Sequence, residues 1–379
     1  MTRLASFRAT KVRVPFRRPF PTAQGMWQER EAWIIRLVDE DGRTGLGEAV
    51  LEPADGETAS TVLDHLVHEA AMTAAGERLP TVAELEMHGA PGRALRAAID
   101  AARLDLGGTP AGRLLPAGAG VGVNATIPSI GPEASARAAN QAVHAGYGTL
   151  KLKAGAERET EVLVDRVRAV RLAVGPDVRL RLDVNGAWDL ETATDRLDAI
   201  ARFGLEYVEQ PLAGDDAAEL AELRRRVRIP IAADETVTSV RTARELLDAG
   251  AVDVLVVKLA RVGGPVAAAE IAALAAERGV PVVVSTLFET GVGIAAGLAV
   301  AAALPDTPGS RFERAPDHGL ATAGVLEHDL LVEGLPVEDG RMRVPEASGE
   351  PGGPTVGGLG ITLDERAMAR FVVESAGAG

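Results

Sequence analysis

Lys151 and Lys153 stand two residues apart in the run TLKLKAG, with Leu150 and Leu152 beside them. In a β-strand successive side chains point to opposite faces, so the lysines share one face and the leucines the other. Ammonium groups pressed together lower each other's pKa, which suits proton abstraction better than stability. For the pair alone, an edge strand with a solvated lysine face is the simpler alternative. The other chemical candidates end similar apolar runs. Asp183, with Asn185 two residues on, ends RLRLDVNG; Glu209 ends LEYVEQP; Asp234 ends IPIAADE; Lys258 ends VDVLVVKL. Singly, each carboxylate has a structural use in a turn, a helix cap or an arginine pair. Three gathered at one point would repel, and a hard divalent cation, Mg²⁺ or in its place Mn²⁺, relieves that repulsion.

The elements that must position these groups repeat. From about residue 120 to 315, a β-branched run ends in polar residues, an amphipathic helix follows, and a glycine closes it. Gly175, Gly204, Gly250 and Gly279 stand where left-handed helix caps are expected. The last inward strand positions fall at 126, 153, 183, 209, 234, 258 and 285, intervals of 24 to 30 residues. Such regular strand–helix alternation predicts parallel strands with right-handed crossovers. With a weaker eighth strand expected at Ser310 to Ala315, the pattern predicts an α/β fold built on a (β/α)7β barrel; an open doubly wound sheet is the alternative. In a barrel the C-terminal strand ends form the active face, where all the polar residues above would meet. Lys153 and Lys258 would then flank a metal-bound carboxylate substrate, one removing the α-proton and the other stabilising the anion.

Residues 1–117 read as an α+β capping domain, with antiparallel strands around KVRVPF and WIIRLVDEDGRTGLGEAV, a turn at Asp41-Gly42, and helices near 59–74 and 92–106. The barrel is expected over 118–322, and a tail over 323–379 is expected to pack back on the capping domain. A balance of 40 basic against 54 acidic residues argues against nucleic acid or an anionic membrane as partner. The absence of cysteine excludes disulfides and thiolate chemistry. No signal-peptide pattern opens the chain, and the longest apolar run is too short to span a bilayer, so a cytoplasmic location is expected. A homo-oligomer is left open.

The set KLK, DVN, EQP, ADE and VVKL at these spacings resembles the enolase superfamily. A lysine on the sixth strand, with no histidine on the seventh, is similar to its muconate lactonizing enzyme subgroup. The resemblance covers nearly the whole chain. It implies Asp183, Glu209 and Asp234 as metal ligands, Lys153 and Lys258 as the acid/base pair, and Lys151 near the substrate carboxylate. VNATI (123–127), HGLAT (318–322) and PFRRPFPTAQG are similar to o-succinylbenzoate synthases of menaquinone biosynthesis. That likeness implies a lyase that dehydrates a cyclohexadiene carboxylate. N-succinylamino acid racemases and dipeptide epimerases of the subgroup are the alternative, although RAPDHGLAT lacks the Asp-x-Asp that epimerases use for the ammonium group.

For the small-molecule carboxylate substrate, the loop Thr22, Ala23, Gln24, Gly25 and Met26 is expected to cover the barrel mouth. Asn124 and Asn185 are expected to contact it. Ser285, Thr286, Glu289, Gly291 and Gly293 are expected to line the seventh strand's end, where helix N-terminal amides would receive a second carboxylate. His65 and His68 read as a solvated helix face, Trp188 as packing, and His318 as a candidate lining residue.

Overall fold

The computed structural model describes residues 4–22, 25–74, 78–107, 120–128, 131–346 and 358–377; for 20–22 and 25 only the backbone is described. The chain opens with β1 (Leu4–Thr22), β2 (Gly25–Asp39) and β3 (Thr44–Ala49), an antiparallel meander turned at Gly42. Helices Gly56–Ala74 and Gly89–Asp105 cover one face of this sheet. Helix and strand approach closely because the strand offers no side chain at two points. A Cβ on Gly45 or Gly47 would fall 2.0 Å from Ala102 O or 1.9 Å from Ala98 O. The expected cover loop is in fact the end of the β1–β2 hairpin, whose strands run to Thr22 and resume at Gly25. Ala23 and Gln24 lie outside the described residues, as does the side chain of Thr22; Met26 is exposed.

Two short strands follow, β4 (Gly120–Gly122) and β5 (Ala125–Ile127), then β6 (Thr149–Lys153), β7 (Arg179–Asp183), β8 (Leu205–Glu209), β9 (Ile231–Ala233), β10 (Val254–Lys258) and β11 (Val282–Ser285). Strands β5 to β11 form one curled, seven-stranded parallel sheet in chain order, with helices on its outer side. Each helix buries an apolar stripe on the strands, as Leu163, Val167 and Val170 do in Thr160–Val174. The four glycines expected to stop helices all take positive φ; Gly204 is left-handed, while Gly175 combines φ 77° with ψ −179°.

The expectation for the first barrel strand needs correction. VGVNATI does not run as one strand. Its first half, β4, pairs instead with β13 (Arg341–Arg343), which pairs with β12 (Val337–Glu338). The eighth strand also differs, since residues 311–314 form bends and none of 310–315 is extended in a strand. The gap between β11 and the first strand is spanned by His318 and Gly319, through parallel bridges Val123–His318 and Ser285–Gly319. Pro308 and Pro316 flank the predicted stretch and remove amide donors a strand would need. Finally, β14 (Val372–Ala376) pairs antiparallel with β1, and buried Asp105 accepts from the amides of Leu46 and Leu359. Among the described residues no helix is long and apolar enough to cross a membrane.

Candidate active site

The parallel register aligns Lys153 with Asp183 and Asp183 with Glu209 across neighbouring strands. Glu209 is level with Ala232, so Asp234 sits just beyond the end of β9. Lys258 closes β10 beside Ser285. All three carboxylates are buried.

Every one of them is met by a lysine. Lys151 Nζ lies 2.9 Å from Asp183 Oδ2 and 2.8 Å from Glu209 Oε1. Lys153 Nζ lies 2.7 Å from the same Asp183 oxygen and donates to Asn185 Oδ1 at 3.0 Å. Lys258 Nζ lies 2.6 Å from Asp234 Oδ2. Lys153 keeps the most exposed side chain, 29% against 9% for Lys151 and 10% for Lys258. Among the described residues no three acidic or imidazole side chains form a ready-made ion cage. The Lys151 nitrogen lies between Asp183 and Glu209.

The electrostatics overturn one expectation. Burial alone would lower the Lys151 ammonium, but Asp183, Glu209 and Asp234 outweigh it and hold it well above its ordinary value. The neighbouring lysine does not set its state. For Lys258, burial and Arg261 pull downward, while Asp234, Glu52 and Glu235 prevail and raise it. Burial and the Asp183 charge push Glu209 up to about 7. Burial would raise Asp183 and Asp234 too, but the cations beside them keep both below the usual carboxylate range.

Three groups absent from the sequence reading complete the site. Arg261 donates to Asp234 Oδ1 and, at 2.7 Å, to Asp234 O, and also pairs with Glu52 of the N-terminal segment. Gln210 Oε1 accepts from the Asp234 amide at 3.0 Å. Glu235 Oε1 accepts from Asn185 at 2.8 Å, while its Oε2 is buried without a partner among the described residues. Asn185, Gln210 and Phe288 all take positive φ just past strand ends, a conformation that costs energy and concentrates at functional sites. Arg261, one helical turn beyond Lys258, had a spacing signal; Glu52, contacted across 209 residues, had none.

The lining candidates divide. Ser285 and Thr286 are buried at the end of β11, and Thr286 Oγ1 meets Thr322 Oγ1 at 2.9 Å. Asn124 is buried lower in the barrel and accepts from Arg181 at 3.1 Å. The helix N-terminus at Gly291 is capped from within the chain. Gly291 N donates to Asp329, and the amides of Thr290 and Gly293 donate to Glu48 at 3.0 and 2.9 Å. Those amides are engaged and do not offer the expected second-carboxylate site. Glu289 accepts from the Leu287 amide. His318 Nδ1 accepts from Val284 N at 3.1 Å, and burial lowers its pKa to about 4, which makes it a neutral closing residue. Trp188 is buried beneath Arg196, and His65 is exposed.

The donor set fits a hard divalent ion. Asp183, Glu209 and Asp234 present buried carboxylate oxygens on adjacent strand ends, with the unpartnered Glu235 oxygen beside them. Such a cluster needs positive charge, and the lysines supply it in this arrangement.

Comparison with known proteins gives the family. Residues 5–115 match the mandelate racemase/muconate lactonizing enzyme N-terminal domain, and residues 134–367 match the enolase C-terminal domain-like family. An o-succinylbenzoate synthase of Thermobifida fusca (strain YX) is 47% identical over 216 residues, which cover 57% of this chain and 63% of that protein. One from Geobacillus stearothermophilus is 32% identical over 370 residues, 93% of this chain and 92% of that protein. Among solved structures, muconate lactonizing enzyme from Pseudomonas fluorescens, complexed with muconolactone, superposes with TM-score 0.80 at 25% identity, covering 98% of this chain and all of that one. The substrate-liganded L-Ala-D/L-Glu epimerase of Bacillus subtilis gives TM-score 0.79 at 25% identity, covering 95% of this chain and all of that one. The chain belongs to the mandelate racemase/muconate lactonizing enzyme family of the enolase superfamily.

Proposed function

We propose that the chain is an o-succinylbenzoate synthase. It removes water from 2-succinyl-6-hydroxy-2,4-cyclohexadiene-1-carboxylate to give 2-succinylbenzoate, a step of menaquinone synthesis placed in the cytoplasm. The carrying observation is a near full-length relationship to enzymes of that name, joined to two lysines that flank a row of buried carboxylates.

In this reading Asp183, Glu209 and Asp234 hold Mg²⁺, or Mn²⁺ in its place. When bound, the ion supplies the charge that acidifies the hydrogen α to the substrate carboxylate and stabilises the anion left behind. Lys153, the most exposed of the lysines, takes that hydrogen. It then returns the proton to the departing hydroxyl on the same face. The C1–H and C6–O bonds break, a C1–C6 double bond forms, and water leaves an aromatic ring. Lys258 stays protonated opposite the anion, a role consistent with the carboxylates that raise its pKa. Lys151 and Asn185 orient the substrate from one side, Ser285 and Thr286 from another, and the β1–β2 hairpin excludes water.

Likeness to an epimerase structure favours a second reading, racemisation of N-succinylamino acids or epimerisation of dipeptides. That chemistry requires both lysines to exchange protons. Offering purified protein with Mg²⁺ the cyclohexadiene acid, N-succinylamino acids and dipeptides separates the two. The synthase reading expects an aromatic product with changed absorbance; epimerised dipeptides with no aromatic product would end it.

A further inference from the structure

Asp234 is held differently from the other two carboxylates. Asp183 and Glu209 are met by lysines of the barrel itself, whereas Asp234 carries a lysine on one oxygen and an arginine on the other. That arginine, Arg261, is gripped from outside the barrel. Arg93, on helix Gly89–Asp105, donates to its backbone carbonyl at 2.7 Å. Glu52, in the turn after β3, pairs with its guanidinium through two parallel contacts, one of 3.0 Å between Nη2 and Oε2. The turn is itself fixed, because the Glu52 amide donates to Asp55 Oδ2 at 2.7 Å. Arg261 is buried, and its planar fork suits bidentate pairing with a carboxylate.

We propose that Glu52 is a positioning residue for the ion centre: through Arg261 it fixes Asp234, so that docking of the N-terminal segment sets the ion affinity of the barrel. The inference rests on the reading of Asp183, Glu209 and Asp234 as ion ligands. Lys258 sits on Oδ2 and Arg261 on Oδ1, so the arginine would keep the carboxylate turned toward the centre were the lysine to give way to an ion. Glu52 acts in two ways. It locks the guanidinium in place, and it neutralises much of the arginine's charge, which would otherwise compete with the ion for Asp234. Outer partners that orient ligands in this manner typically change metal affinity about 10–100-fold when lost.

The test is Mg²⁺ calorimetry on the full chain, comparing wild type, Glu52→Gln, Glu52→Ala and Glu48→Gln, with metal-free melting curves for each. Glu48 also joins the N-terminal segment to the barrel, at Thr290 and Gly293, but reaches no ligand. The expected result is a Kd for Mg²⁺ raised about tenfold or more in Glu52→Gln, and within about twofold of wild type in Glu48→Gln. The isosteric Glu52→Gln gives the reading should Glu52→Ala fail to fold. Unchanged affinity in Glu52→Gln, or equal weakening in Glu48→Gln, would overturn the proposal while leaving the ligand set intact. A wild type that binds no Mg²⁺ would overturn the ligand set, and the proposal with it.

Discussion

The barrel holds two clusters of opposite charges, a buried one at the upper end and a partly buried one at the lower, and they differ in the chemistry of the cation. At the lower end Glu206 takes Arg179 at 3.0 Å and Arg181 at 2.6 Å on its two oxygens. Asp317 accepts from Thr149 at 2.7 Å and pairs with Arg179. These guanidinium groups cannot lose a proton at any working pH, and their forks match carboxylates two bonds at a time. At the upper end the cations on Asp183, Glu209 and Asp234 include three lysines, point charges that can give up a proton and move away. The lower cluster is built to stay; the upper one is held by cations that can be displaced. Even the lower cluster leaves Arg181 Nη2 and the Tyr207 hydroxyl buried without partners among the described residues.

Three variants sharpen or break this contrast. The largest effect is expected from Asp234→Asn, which removes a ligand charge; Mg²⁺ affinity should fall by more than the roughly 100-fold that loss of an outer partner costs, read by calorimetry. An unaltered titration would remove Asp234 from the ligand set. Next, Glu206→Ala leaves the buried Arg181 without its carboxylate and Arg179 with Asp317 alone, and denaturant unfolding should report a loss of about 3–5 kcal/mol. Mg²⁺ affinity within a few-fold of wild type would keep the two clusters independent; a loss matching that of Asp234→Asn would merge them.

The smallest effect concerns a third buried acid, Glu48, which burial and the nearby Glu289 push up to about 7. Its folded pKa lies above its unfolded value near 4.5, so the native state binds the extra proton between those values. Its contribution is therefore full below about pH 4.5 and lost as pH rises through about 7. Glu48→Gln should flatten the decline of stability between pH 5 and 8 by roughly 2 kcal/mol, read as denaturant midpoints across that range. An identical pH profile in variant and wild type would show that Glu48 titrates normally.

What the sequence made legible follows from local periodicity. Asp183, Glu209, Lys153 and Lys258 each end a strand, and Asp234 follows one; the alternation is visible in a few residues, and the repeat shows which ends share a rim. The seven-stranded sheet was readable for the same reason. Contacts between distant segments were not. Glu52 reaches Arg261 from the N-terminal segment, and Glu48 caps a helix 242 residues away, pairings no periodicity announces. The eighth strand expected at Ser310 to Ala315 falls elsewhere because His318 and Gly319 make only isolated bridges, too short to leave an alternating pattern. The lysine pair misled for another reason. Proximity along one strand raised repulsion between Lys151 and Lys153, whereas carboxylates on neighbouring strands decide the charge of Lys151.

The central claim is that two lysines from opposite sides of the carboxylate row act on a substrate held between them. Turnover of the cyclohexadiene acid by Lys153→Ala and Lys258→Ala, with Mg²⁺ affinity measured on the same samples, tests it most directly. The account predicts a fall of about 10²–10⁴-fold in rate for each, with the ion still bound. Either variant retaining more than a tenth of wild-type turnover with its ion site intact would contradict it.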